Sequence, residues 1–451
     1  MAHARGAPDT IAALATAPGR AALAVIRISG PGASDGLKAL RVKAVRPGAA
    51  RLCSLKGASG AILDRAIVIW RPAPSSYTGE DCAEIHLHGS RFLSDTVMRL
   101  LTEAGLRLAE PGEFTRRAFE NGKIDLGQAE AVADLIDAET EAQARQAIDQ
   151  LEGALGSRYV AWRGVLIEIL ARLEALVDFP EEATGEAVTG VRGMLDQIMA
   201  DLTAAVEDGA RGRRIRDGYR VAIVGPANAG KSSLFNRLVD RDAAIVAALP
   251  GTTRDVIEAA IDLGGYRVLL ADTAGLRPSG DPVEIEGVRR ARAWARDADL
   301  RIWVIDGAAA DLDPEMTGET WLKGDLCVLN KNDLPLGPAS GLATSKASRH
   351  ATAVVAISTL SDGPERVAAW LRETVVAAMA GADFPATTRM RHDAALRDGL
   401  EAICRAHSRL DQPELAAEDV RLTARALAQV TGAIATEHIL EKVFSAFCIG
   451  K

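Results

Sequence analysis

Gly225-Pro226-Ala227-Asn228-Ala229-Gly230-Lys231-Ser232 fits the pattern G-x-x-x-x-G-K-[ST] and follows Tyr219 to Val224, a short run that is apolar except for Arg220. In such a loop the glycines let backbone N–H groups curl around phosphate oxygens, Lys231 reaches the β- and γ-phosphates, and the Ser232 hydroxyl binds Mg²⁺. Ser232-Ser233-Leu234-Phe235-Asn236-Arg237-Leu238 continues as a helix whose N-terminus faces the anion. An eight-residue match alone arises by chance, so the elements downstream decide the reading.

Those elements come in order: Gly251-Thr252-Thr253, Asp272-Thr273-Ala274-Gly275 and Asn330-Lys331-Asn332-Asp333. Asp272 ends the apolar run Val268 to Ala271, which suits a carboxylate that holds Mg²⁺ through water, and Gly275 presents its N–H to the γ-phosphate. Thr253 is a second candidate Mg²⁺ hydroxyl. After the apolar run Leu326 to Leu329, the Asp333 carboxylate accepts from N1–H and the 2-amino group of guanine, donors that adenine lacks, and buried polar groups left unpaired make such a site discriminate. A lone Asn-Lys-x-Asp is otherwise a polar turn after a strand. Together the elements read as a GTPase. Leu276 stands where Ras-like enzymes carry the glutamine that orients the attacking water, so another group must do that work.

The chain of 451 residues carries a formal net charge of −8, which argues against a general nucleic-acid coat but not against a local basic patch. Arg211, Arg213, Arg214 and Arg216 form the densest basic cluster and read as a solvated helix end and linker rather than an RNA contact. Five cysteines without CxxC spacing or even pairing point to neither a zinc site nor a disulfide framework. No apolar run approaches membrane-spanning length and Met1 to Ala7 is too short and polar for a signal peptide, so a soluble, cytoplasmic protein is expected.

The expected fold class is multidomain α/β. Short β-type runs alternate with turns over 1–122, giving an α+β domain; helical spacing fills 123–217, a Ras-like P-loop GTPase domain occupies 218–378, and helices return over 379–451. Helix before and helix after predict a GTPase domain inserted into a central helical domain. Glu84, His86 and His88 alternate onto one strand face, which imitates a metal site but reads better as a polar face, since no further ligand is placed.

Three further blocks carry a resemblance: Asp9-Thr10-Ile11-Ala12-Ala13 with Pro18-Gly19-Arg20, Pro111-Gly112-Glu113-Phe114-Thr115-Arg116-Arg117-Ala118-Phe119, and Cys448-Ile449-Gly450-Lys451. With the GTPase core, the chain resembles the MnmE (TrmE) family of tRNA-modification GTPases over essentially its whole length. The resemblance implies a cytoplasmic homodimer that joins an FAD-dependent partner, MnmG (GidA), in a heterotetramer. That assembly installs a carboxymethylaminomethyl or related group at C5 of the wobble uridine of certain tRNAs. It implies a folate such as 5-formyltetrahydrofolate as one-carbon donor, bound by an N-terminal domain that also dimerises, with Arg27, Glu84, Lys123 and Lys451 at the folate-binding positions. Cations suit the glutamate tail and a carboxylate suits the pterin donors. Taken singly, Arg27 reads as a strand charge, Lys123 as a cation at a helix end and Lys451 as a chain terminus.

The same resemblance implies hydrolysis assisted by K⁺ and switched on when two GTPase domains meet. Asn228 matches the side-chain ligand for K⁺; Ala247, Ala248, Leu249, Pro250, Gly251 and Thr252 form the loop that would supply backbone carbonyls, Ala247, Leu249 and Thr252 among the ligands. Glu284 matches the glutamate that positions water, and with Lys231 makes the expected catalytic pair; alone it is one charge in a polar stretch. Ser358-Thr359 stands where such GTPases commonly read Ser-Ala at the guanine O6 contact, and Pro250 restricts the cation loop. Two rival readings are a K⁺-dependent ribosome-assembly GTPase, which leaves the N-terminal blocks and Cys448-Ile449-Gly450-Lys451 unexplained, and a non-enzymatic GTP-binding scaffold.

Overall fold

The computed structural model describes residues 9–179, 185–241, 257–272, 289, 292–311, 321–350, 352–361, 363–381 and 383–451. Two compact units emerge, one built from 1–133, 151–170 and 420–451, the other from 134–150 and 171–419.

The first unit holds a six-stranded sheet in the order β3-β4-β5-β2-β1-β6, with β1 Ile11–Leu14, β2 Leu23–Ser29, β3 Ala50–Lys56, β4 Ile62–Arg71, β5 Cys82–His88 and β6 Arg107–Leu108. Only the β1–β6 pair is parallel. Strand β2 shows why one face is a core: Ala24, Ile26 and Ile28 are buried and Val25 and Arg27 are half-exposed, the period of two that a sheet with one packed face requires. Helices Ala33–Ala39 and Arg91–Glu103 contribute Leu37, Val97 and Leu101 to that core. A separate cluster joins Leu126 and Ala129 to Phe444 and Phe447 near the C-terminus.

The second unit carries a sheet in the order β12-β11-β10-β7-β9-β8, with β7 Tyr219–Val224, β8 Ile257–Leu263, β9 Tyr266–Asp272, β10 Leu300–Asp306, β11 Leu326–Asn330 and β12 Ala353–Ala356. All pairings are parallel except β8–β9. Leu300 to Ile305 are buried without alternation, as expected of a strand covered on both faces. Strand order reverses at β7, which lies between β9 and β10, and in such sheets ligands bind outside the carboxyl ends of the strands at that crevice. The loop that leaves β7 there begins at Gly225.

Helix Gly185–Asp217 buries Val191, Leu195, Ile198, Leu202, Ala205, Gly209 and Gly212, alternating steps of four and three that lay one stripe along it, and it packs on helix Met390–Ser408. Its last two turns correct one expectation. Arg211 pairs with Asp208, Arg213 with Asp393, Arg214 with Asp299 and Arg216 with Asp134 and Asp217. The cluster is therefore a set of intramolecular ion pairs rather than a solvated helix end. No described helix is long and apolar enough to cross a membrane.

Candidate functional site

At the crevice, Asn228 takes a left-handed φ of 62° and Gly230 a φ of 100°. A Cβ on Gly230 would collide with the Asn330 side-chain nitrogen, so glycine is required by contact as well as by backbone. Lys231, only 5% exposed, opens helix Lys231–Arg241, and its ammonium donates to the carbonyls of Gly225 at 2.7 Å and Pro226 at 2.6 Å. Those acceptors compensate a buried charge. Ala229 is buried, whereas Asn228, Ser232 and Ser233 are exposed, the serines in the first turn of the helix where backbone N–H groups are unpaired.

Asn330 ties the base-side loop to the phosphate loop. It is 1% exposed; its Nδ2 donates to the Ala229 carbonyl at 2.8 Å and its Oδ1 accepts from the Thr359 N–H at 3.0 Å. Asn332 N–H donates to the Ile357 carbonyl, so the Asn330–Asp333 loop and the Ser358-Thr359 loop are held together, with Ser358 and Thr359 each 8% exposed. Lys331, at φ 63°, forms a 2.6 Å ion pair with Asp306, and Asp333 beyond it is exposed. Asp306 ends β10 opposite Asn330. Burial raises its carboxyl pKa, but the bond from Lys331 outweighs that and holds it below the usual carboxylate range. Sequence reasoning missed Asp306, although it closes the apolar run Ile302 to Ile305 as Asp272 closes Val268 to Ala271.

Asp272 is 4% exposed at the end of β9, in register with Ile223 of β7 two residues before the loop. Oxygen donors from Ser232 and Asp272 fit Mg²⁺, which keeps several waters and takes few protein ligands alongside phosphates. No cluster of three His, Cys, Asp or Glu able to hold a metal occurs among the described residues. Ala247, Ala248, Leu249, Pro250, Gly251, Thr252, Thr253, Thr273, Ala274, Gly275 and Glu284 lie outside the described residues.

A second constellation lies in the first unit. Arg27 on β2 is in register with Glu84 on β5, and its Nε and Nη2 meet one carboxylate oxygen at 3.0 and 2.9 Å. The guanidinium carbon lies 5.7 Å from the ring centres of both Tyr77 and Phe114. Burial pushes the Glu84 carboxyl pKa up, but the Arg27 charge and hydrogen bond more than reverse this, so it sits below its ordinary value. Arg27 Nη1 also donates to the Gly450 carbonyl at 3.4 Å.

The C-terminal tetrapeptide is docked on this unit: Ile449 bridges Pro111, Gly112 N–H donates to the Cys448 carbonyl and Phe114 N–H to the Lys451 carbonyl. Gly450 has φ 94°, and a Cβ there would lie 2.7 Å from Ala15 Cα. Arg27 and Glu84 line a cavity of about 260 Å³ with Arg71, Ser76, Tyr77 and Thr78. Lys123 is exposed and donates to the Pro74 carbonyl at 3.0 Å, on the loop that supplies the Ser76 to Thr78 wall. Arg27 thus meets both Glu84 and the backbone of the C-terminal tail at Gly450, and Lys123 reaches the loop that walls the cavity. Sequence reasoning missed Tyr77 as one of the rings flanking Arg27; nothing in its local context marks it.

The family signature described as "MnmE helical domain" matches residues 126–448 and that described as "GTP-binding protein TrmE N-terminus" matches 10–123. The chain is 50% identical over 448 residues to the tRNA modification GTPase MnmE of Phenylobacterium zucineum, covering 98% of this chain and 100% of that one. It is 52% identical over 449 residues to the namesake in Caulobacter vibrioides, with the same coverage. An N-terminal TrmE-type unit, helices and a phosphate-loop sheet joined in one sequence, with relatives matched end to end, place the chain in the MnmE family of tRNA modification GTPases.

Proposed function

We propose that the chain couples GTP hydrolysis to formation of a 5-carboxymethylaminomethyl (or aminomethyl) group on the wobble uridine of certain tRNAs. In this reading it acts in the cytoplasm as a homodimer with the FAD-dependent partner MnmG, and a folate such as 5-formyltetrahydrofolate supplies the carbon. The observation that carries the folate half is the Arg27–Glu84 pair, set between two aromatic rings beside a docked C-terminal tail. Glu84, kept ionised, accepts from the amino and ring N–H groups of a pterin; Lys123 and Lys451 meet the glutamate carboxylates.

The nucleotide half rests on the Asn330 cross-link and on the exposed Asn228, Ser232 and Ser233. Asp333 reads guanine, Lys231 holds the phosphates, Ser232 and Thr253 bind Mg²⁺ with Asp272 behind them, and Asn228 with the Ala247, Leu249 and Thr252 carbonyls binds K⁺. Cations held by these residues would neutralise charge that develops during phosphoryl transfer. Glu284 positions the attacking water, and γ-phosphate and Mg²⁺ contacts, the Gly275 N–H and the Thr253 hydroxyl among them, order the switch loops whose release follows hydrolysis. The domain division we assign is 1–122, 123–217, 218–378 and 379–451.

Calorimetric titration with 5-formyltetrahydrofolate, alongside a Lys451-deleted control, tests the reading. Saturable binding that weakens in the control supports it. No binding by a folded sample that still hydrolyses GTP removes the folate and leaves the GTPase.

A further inference from the structure

Positive charge is concentrated along one edge of the N-terminal sheet. The 34 residues from Lys38 to Arg71 carry eight Lys or Arg against a single acid, Asp64, in a chain of net charge −8. Lys38 pairs with Asp35 at 2.7 Å, and Asp64 is buried and bonded to His88 at 2.7 Å. None of the other seven cations forms an ion pair among the described residues.

The backbone arranges four of them in a row. Strand β3 is an outer strand of the sheet, about 20 Å long, and residues 41–48 run beside it. The Lys56 N–H donates to the Leu40 carbonyl at 3.0 Å, Arg51 Nη1 to the Ala44 carbonyl at 2.7 Å, and the Gly48 N–H to the Trp70 carbonyl at 2.8 Å. Val42 and Val45 sink into the core under the sheet, while Arg41, Lys43, Arg46 and Arg51 are exposed. Arg41 and Arg51 bond neutral backbone carbonyls, which orient them without cancelling their charge. At the Gly48 end, Trp70 leads into Arg71, an exposed side chain that lines the same cavity as Arg27 and Glu84. Charged residues on an outer strand commonly keep foreign strands away, but here the 41–48 segment already lies against that edge. A two-fold contact with a second copy would set like charges against each other.

We infer that the row formed by Arg41, Lys43, Arg46 and Arg51 grips the phosphate backbone of the tRNA substrate and leads the RNA toward the cavity that opens at Arg71. Guanidinium groups meet phosphate oxygens in pairs, and contacts of this kind fix register and orientation while reading no bases. The inference rests on the chain acting on tRNA and on none of the residues assigned to the nucleotide.

The test is fluorescence anisotropy of a labelled, unmodified tRNA transcript titrated with the full chain between about 50 and 200 mM salt. In the double variant Lys43→Ser, Arg46→Ser, both at exposed positions, the slope of log K against log salt should become shallower by about 1.5, with binding about tenfold weaker or more. The loss should be the same for tRNAs of different sequence. Lys43→Arg with Arg46→Lys restores both quantities, and Lys323→Ser with Arg349→Ser, the same charge change in the second unit, leaves both at the wild-type value. GTP hydrolysis without RNA and 5-formyltetrahydrofolate binding, measured on the same samples, stay unchanged. Wild-type slope and affinity in the Lys43, Arg46 variant, or an equal loss in the second-unit control, overturns the inference and leaves the tRNA-modification reading standing. A wild-type chain that binds no tRNA, or that prefers vesicles of anionic lipid to it, also overturns the inference, and the folate and GTP results then judge the wider reading separately.

Discussion

Replacing Asn330 by alanine removes both arms of the link between the phosphate loop and the base-side loops at once. The Ala229 carbonyl and the Thr359 N–H lose their side-chain partner in a site where Asn330 itself is 1% exposed. Each orphaned buried group costs about 1–3 kcal/mol; because water can enter the truncated site we take the lower half of that range, about 3 kcal/mol for the two. If the cost falls on the loop geometry that nucleotide requires, GDP binding weakens roughly 100-fold. Equilibrium titration with a fluorescent GDP analogue measures this, and thermal unfolding without nucleotide checks that the variant is folded. Thr359→Ala serves as control, since it keeps the backbone donor, and it is expected within about twofold of wild type. A folded Asn330→Ala protein that binds GDP within about twofold of wild type refutes the argument.

Gly450→Ala should release the C-terminal tail, because a left-handed backbone and a 2.7 Å approach to Ala15 leave no room for a methyl group; faster proteolysis near Cys448 and a lower Tm report it, and an unchanged digestion pattern counts against the docking. Against the effect of burial, Arg27 holds the Glu84 carboxyl pKa below its ordinary value, so the stability it contributes is full above the unfolded pKa and fades as pH falls through the lower folded one. Acid unfolding curves of Glu84→Gln should lack that component, and superimposable curves for the two proteins would show that the Arg27 pair adds nothing.

What could be read in advance was local. The apolar runs Tyr219 to Val224 and Leu326 to Leu329 both fold as strands, and the turn between β7 and its helix is dictated by residues adjacent in sequence. Contacts between distant segments left no such trace. The four arginines near residue 214 looked solvated because the acids that answer three of them, Asp393, Asp299 and Asp134, lie 82 to 180 positions away. The same limit hid the seat of Arg27. A strand charge in sequence, it is held by Glu84, two rings and a backbone carbonyl near the far end of the chain.

That last contact has a consequence in time. Arg27 and Gly450 are 423 residues apart, and at roughly 5–20 residues per second the ribosome needs about 20–85 s to travel between them. In the later part of that interval, once β6 and the Leu126 helix have been made, the N-terminal sheet can form while the Pro111 to Phe114 edge, that helix and the Arg27 guanidinium still lack the segment that covers them. Nascent chains stalled before Phe444 should therefore display a folded sheet with an unfinished seam, and they are the species on which a chaperone or a misplaced partner strand would act.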